Sequence, residues 1–111
     1  MKVSKIGIIL PALNEENSLY QVATELIEVL ETNKITYKVI IVNDGSTDDT
    51  AKICDALETE FPHVSIIHHQ TSRNIGSCYL TASKNLQTEY ITWLPTDGEI
   101  DIQIIPEMLA K

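Results

Sequence analysis

Basic residues are scarce in this chain. Eight lysines and arginines stand against sixteen acidic residues, for a formal charge of −8. That balance excludes a phosphate-tracking nucleic-acid surface, and an anionic ligand would need a metal cation as a bridge. Long apolar runs are also missing. None approaches the roughly 18 residues that a membrane span requires, and the run after Lys2 and Lys5 reaches Pro11 too soon for a signal-peptide core. Cysteine is limited to Cys54 and Cys78, which fall on expected helices without ligand-like spacing. Both read as reduced thiols in or near the core of a cytoplasmic protein. Repeats, low-complexity tracts and linkers are absent, so residues 1–111 are expected to form one domain around one core. The 43% hydrophobic and 22% charged content is that of an ordinary globular protein.

What is present alternates. A strand is expected over residues 5–10, stopped by Pro11. Asn14, Glu15, Glu16, Asn17 and Ser18 then supply caps and first-turn acids for a helix to about Thr32. Leu19, Val22, Ala23, Leu26, Ile27 and Leu30 keep its apolar face in phase. The run from Val39 to Val42 reads as a buried strand that Asp44 and Gly45 break. Ser46 or Thr47 caps the next helix, with Asp48 and Asp49 in its first turn, and Pro62 ends it. A short strand follows over 64–67, and Asn74 caps a third helix over 76–86. A fourth strand spans 89–94 and closes at Pro95. Strands alternating with helices of this length predict an α/β fold with a mostly parallel sheet. Right-handed crossovers gather loops 11–18, 43–48, 69–76 and 95–101 at one edge.

Those four loops are all polar. Asp44 sits at a strand end beside a helix start, the usual ligand crevice of an open α/β sheet. Asn74, Ile75 and Gly76 open a helix whose first amides could face a phosphate. Asp97 and Glu99 flank Gly98 on a turn, so their oxygens can converge on one hard cation such as Mg²⁺ or Mn²⁺. Taken singly, each feature has a plain structural reading as a cap, a turn or a first-turn acid. His63, His68 and His69 show no ligand spacing and read as solvated or strand-end histidines. Tyr90 and Trp93 read as core.

Four runs in order carry a resemblance. They are Ile9 to Glu16, Val42 to Asp48, Arg73 to Gly76, and the acidic pair after the fourth strand. Together they resemble the GT-A glycosyltransferases of family 2, nearest in flavour to the dolichol- or polyprenol-phosphate sugar transferases, over nearly the whole chain. The resemblance implies a Rossmann-like GT-A three-layer sandwich, truncated here after the acidic motif. It places Pro11, Ala12, Asn14 and Glu15 in a nucleotide pocket, with Asp44 holding the base and Gly45 and Ser46 letting backbone approach the nucleoside. Arg73, Asn74 and Gly76 would close the pocket, and Asp97 and Glu99 would hold a divalent metal on the diphosphate of a nucleoside-diphosphate sugar. Two departures from the family pattern matter. Asn43 stands where many members carry a second aspartate, and Asp101 competes with Glu99 as partner to Asp97.

The implied activity is inverting transfer of the sugar to a lipid phosphate or a saccharide. No catalytic base can be named, because the family's acceptor side lies beyond the acidic motif. A non-catalytic nucleotide-binding or regulatory module of the same fold is the alternative. A flavodoxin-like phosphoacceptor domain would need an acidic pair after the first strand, where Leu10 and Pro11 stand. A sugar nucleotidyltransferase would need a Gly-rich, Arg-bearing loop there. The expected location is cytoplasmic, with membrane contact only through residues beyond this stretch. The apolar surface left where the chain stops can serve as a homodimer contact.

Overall fold

The computed structural model describes residues 6–86, 88, 90–94 and 96. Four strands and three helices alternate: β1 (Ile6–Ala12), α1 (Leu19–Thr32), β2 (Tyr37–Asp44), α2 (Thr50–Glu60), β3 (Val64–His69), α3 (Ile75–Ser83) and β4 (Tyr90–Trp93). All three pairings are parallel, in the order β3-β2-β1-β4. The neighbours β1 and β2 are apolar without interruption over Ile8 to Leu10 and Val39 to Val42, as strands covered on both faces must be.

Alternation along the strands divides the core in two. Ile6, Ile8 and Leu10 of β1 join Val39 and Ile41 of β2 against Leu19, Leu26 and Leu30 of α1 and Leu57 of α2. On the other face Ile9, Ile40 and Val42 meet Cys78 and Ala82 of α3 and Leu86. Gly7 lies on this second face, where a Cβ would come within 2.8 Å of Leu86 Cδ1, so glycine makes the room for that leucine.

Several boundaries differ from the sequence expectation: β2 runs on to Asp44 and β3 to His69, and α3 ends at Ser83. β1 does not stop at Pro11 but runs to Ala12, with Pro11 opposite Val42. Thr96 Oγ1 donates to Pro11 O at 3.0 Å from the β4 side, and the proline nitrogen faces that same side, beyond the last β1–β4 pair at Ile9 and Trp93. The missing N–H therefore breaks no ladder bond. Helix α1 begins only at Leu19, because residues 14–18 form a turn in which Glu15 O accepts from the N–H groups of Ser18 and Leu19. Helix α2 begins at Thr50, and Asp48, rather than Ser46 or Thr47, accepts from the Thr50 N–H at 2.9 Å.

Helices α1 and α2 cover one face, and α3 carries the chain back across the sheet to place β4 on the far side of β1. The direction of winding reverses between β1 and β4, which opens a crevice at the carboxyl ends of those strands. No helix among the described residues is long and apolar enough to cross a membrane.

Candidate functional site: a cleft at the strand ends

A cleft of about 350 Å³ occupies that crevice. The end of β1 and the loop after it contribute Pro11, Ala12, Leu13 and Glu15. Asp44 forms part of its wall, the loop before α3 and the helix itself add Ser72, Asn74, Ile75 and Cys78, and Trp93 and Thr96 complete it. The volume suits a small organic ligand.

Asp44 is the most heavily bonded side chain in the wall, and it is 4% exposed. Its Oδ1 accepts from His69 Nδ1 at 2.8 Å and from the Arg73 N–H at 2.9 Å. Its Oδ2 accepts from Ser72 Oγ at 3.0 Å and from the Asn74 N–H at 3.1 Å. Burial by itself would raise the carboxyl's pKa. The bonds from His69, Arg73, Asn74 and Ser72 outweigh it and hold the pKa at about 2. Asp44 is thus ionised at neutral pH, and the proton of His69 sits on Nδ1. The other imidazole nitrogen, Nε2, lies 3.1 Å from Thr81 Oγ1 of α3 and accepts from it when the ring is neutral.

Register explains the histidine. Asp44 and His69 are direct partners in the β2–β3 ladder, as are Asn43 and His68 one step earlier. Side chains alternate, so the two pairs point to opposite faces. His68 accepts from Asn43 Nδ2 at 3.0 Å and donates through Nε2 to Asp55 of α2, and it remains exposed. His69 is buried against Asp44 and α3. The expectation of a merely solvated or strand-end histidine therefore misses His69, which ends its strand yet is a buried donor.

Gly45 brings the third loop down onto Asp44. Its φ is +77°, and a Cβ there would lie 2.4 Å from the Ser72 backbone nitrogen and 2.7 Å from the Thr71 carbonyl carbon. Only glycine accepts both the dihedral and the contact. Asn74 completes the seat with φ 117° and ψ 170°, a region rarely held by residues other than glycine. Its N–H is bound to Asp44, and its Oδ1 accepts from the Ser77 N–H at 2.9 Å to cap α3.

The first two loops are joined to each other. Asn14 Oδ1 accepts from the N–H groups of Thr47 and Asp48, and the Asn14 N–H donates to Ser46 Oγ at 3.0 Å. The Glu15 N–H donates to Thr50 Oγ1, and the Glu16 N–H to Asp48. Bonding to the Thr50 side chain lowers the pKa of Asp48. Ser18 Oγ reaches Glu15 Oε2 and the Thr96 carbonyl, tying the fourth loop to the first.

The sequence candidates therefore separate. Pro11, Ala12, Glu15, Asp44 and Asn74 line the cleft. Asn14, Ser46 and Gly45 lie behind it, as loop staples and as the seat for residues 71–72. Arg73 contributes its backbone N–H and leaves its side chain exposed, and Gly76 lies in the exposed first turn of α3. Asp97, Glu99 and Asp101 fall outside the described residues. Trp93 is 45% and Tyr90 54% exposed, so the core reading of both is corrected. Among the described residues β4 is an edge strand, and Trp93 lines the cleft. Leu13, Ser72, Ile75, Cys78, Trp93 and Thr96 were not anticipated as lining residues, because their positions depend on how separate loops meet.

Among the described residues, Asp44, His69 and Cys78 are the set of three metal-capable side chains whose ligand atoms lie within 4.8 Å of one another. They do not suit the hard cation that a diphosphate needs. The Asp44 oxygens are engaged by N–H and O–H donors, and burial with the nearby Asp44 charge pushes the Cys78 thiol up to about 11.

The model of glycosyl transferase family 2 matches residues 7–111. An undecaprenyl-phosphate 4-deoxy-4-formamido-L-arabinose transferase of Sodalis glossinidius is 27% identical over 111 residues, covering 98% of this chain and 34% of that protein. Among solved structures, S. aureus TarS 1-349 in complex with UDP-GlcNAc superposes with a TM-score of 0.73 at 23% identity, covering 96% of this chain and 30% of the other. The mannosyltransferase PcManGT from Pyrobaculum calidifontis, in complex with GDP-Man and Mn²⁺, gives 0.71 at 18% identity over 87% of this chain and 28% of the other. The chain thus spans about a third of the length of each of these three proteins. The parallel sheet, the reversal of winding and the polar loops at its carboxyl edge are the GT-A arrangement, and this chain belongs to glycosyl transferase family 2.

Proposed function

We propose that the chain is the donor-binding portion of an inverting glycosyltransferase that takes its sugar from a nucleoside diphosphate. The observation that carries this reading is the cleft at the winding reversal, with an ionised carboxylate in its wall. A uracil or guanine presents ring N–H donors on its Watson–Crick edge, and Asp44 is the acceptor for them. Pro11, Ala12 and Glu15 line the nucleoside along the β1 side, and Asn74 lies opposite. Arg73, with its side chain free in solvent, and Gly76 at the start of α3 stand toward the phosphates. Asn14, Gly45 and Ser46 hold the loops that form the pocket.

Asp97 and Glu99 are the proposed ligands of a divalent cation, Mg²⁺ or Mn²⁺. When bound, such an ion neutralises charge on the departing diphosphate. The net charge of −8 makes some cation necessary if a diphosphate is to approach this surface. The acceptor is a polyprenyl phosphate or a saccharide hydroxyl. The names of relatives support the lipid phosphate, whose oxygen is already anionic and attacks the anomeric carbon without a general base. With that acceptor and a nucleoside-diphosphate sugar as donor, the proposed location of the whole enzyme is the cytoplasmic face of a membrane.

The test is calorimetric titration with UDP and GDP, with and without Mn²⁺, for the wild type and Asp44→Ala. Trp93, the single tryptophan, gives an independent fluorescence signal at the cleft. Binding that needs the metal and disappears in Asp44→Ala is the expected result. Binding that survives the substitution would remove Asp44 from base recognition.

A further inference from the structure

The two oxygens of a carboxylate offer about four acceptor positions, and four donors fill those of Asp44: His69, Arg73, Ser72 and Asn74. A nucleobase N–H arriving at Asp44 must therefore displace a donor. The four differ in what it takes to move them. His69 is buried and held at its other nitrogen by Thr81. The Arg73 and Asn74 donors are backbone groups, fixed by the contact of residues 71–72 on Gly45 and by the Asn74 cap on α3. Ser72 is different. It is exposed, it lines the cleft, and its donor is a hydroxyl that leaves Asp44 by rotation about one bond.

We propose that Ser72 is a placeholder on Asp44. Its hydroxyl occupies Oδ2 while the cleft is empty and yields that position to the N–H of the nucleobase, so Ser72 tunes nucleotide affinity by competing with the ligand. The inference rests on the reading of Asp44 as the base acceptor. The exchange costs the protein only the hydroxyl's bond to Asp44, because the released hydroxyl turns to water at an exposed position. Oδ1 keeps its bonds from His69 and Arg73, so the carboxylate does not move. Removing the hydroxyl leaves one acceptor position of a buried carboxylate unfilled in the empty protein, and the ligand then fills it without displacing anything.

The experiment compares UDP and GDP titrations, in the presence of Mn²⁺, of the wild type, Ser72→Ala, Ser72→Thr, Ser72→Val and Asp44→Ala, alongside denaturant midpoints of the ligand-free proteins. Threonine and valine at position 72 differ only in hydroxyl against methyl, so that pair controls for shape. The expected result is a split. Ser72→Ala and Ser72→Val are less stable when empty yet bind about three- to tenfold more tightly. Ser72→Thr, which keeps the hydroxyl, binds more weakly than Ser72→Val, and Asp44→Ala does not bind. If Asp44→Ala abolishes binding while both hydroxyl-free variants bind no more tightly than Ser72→Thr, the placeholder role is overturned and the site reading stands. If Asp44→Ala binds as well as wild type, or no variant binds nucleotide, the site reading fails and the placeholder role fails with it.

Discussion

The two faces of the sheet are built to different ends. The face under α1 and α2 is dense, with Leu10, Leu19, Leu26, Leu30 and Leu57 all fully buried. The face under α3 buries a much smaller cluster around Ile9, Ile40 and Cys78. It leaves Ile75, Tyr79 and Leu80 of α3 and Ile91 and Trp93 of β4 exposed. Near this second face, polar bonds do what apolar packing does on the first. His69 and Thr81 tie β3 to α3, and Asp44 holds three successive residues of the loop that leads into it. A dense face gives stability without a cavity. A face held by hydrogen bonds at its edge can keep a wall beside an open cleft.

The contrast can be broken from either side. The largest effect is expected on the dense face, where Leu26→Ala should lower unfolding free energy by about 2–5 kcal/mol in denaturant titrations. Nucleotide affinity of the folded protein should stay unchanged. Next comes Gly45→Ala, which meets both a positive φ and a Cβ contact at 2.4 Å. A loss of about 1–3 kcal/mol is expected, and the Arg73 and Asn74 amides should lose hydrogen-exchange protection as their loop lifts.

Asp44→Asn gives the pH test. The folded pKa of about 2 lies below the ordinary value of 3.8, so ionised Asp44 stabilises the fold fully above about pH 4. That contribution, about 2 kcal/mol, is lost as pH falls toward 2. The asparagine variant should lack this share of the acid dependence, and an unchanged acid profile would contradict the bonding at Asp44.

Smaller still is the difference between neighbouring histidines. His69→Ala leaves a buried carboxylate short of a donor and should cost about 1–3 kcal/mol. His68→Ala removes the surface partner of Asp55 and the acceptor of Asn43 Nδ2, both of which water can replace at this exposed side chain, and should cost under about 1 kcal/mol. Equal costs would erase the distinction between the faces. The smallest stability effect is expected for Trp93→Ala on the exposed edge strand, within about 0.5 kcal/mol. Under the proposed function it should nonetheless weaken nucleotide binding.

Much of this was legible in the sequence. The apolar runs and the helical phase of Leu19 to Leu30 anticipate alternating elements, and alternation dictates a parallel sheet with its loops at one edge. The order of the four motifs leads to the family that residues 7–111 match. The end of β1 beyond Pro11 and the turn over residues 14–18 ahead of α1 are not legible, because local signals do not reveal what lies on the other side of a strand or turn. Pro11 is tolerated where β4 has already ended, and Ser18 finds partners in Glu15 and Thr96 instead of capping its helix.

Periodicity and chain connectivity are enough to dictate the elements, their parallel order of travel and the edge at which polar residues gather. Tertiary structure decided which of those residues face the cleft and which staple one loop to the next. It placed His69 rather than His68 against Asp44, sent Asn14 and Ser46 behind the wall, and filled both oxygens of Asp44. The bonds responsible join residues 25 to 33 positions apart. Such bonds depend on the spacing of strands and on the contact over Gly45, and no local pattern in the chain records either one.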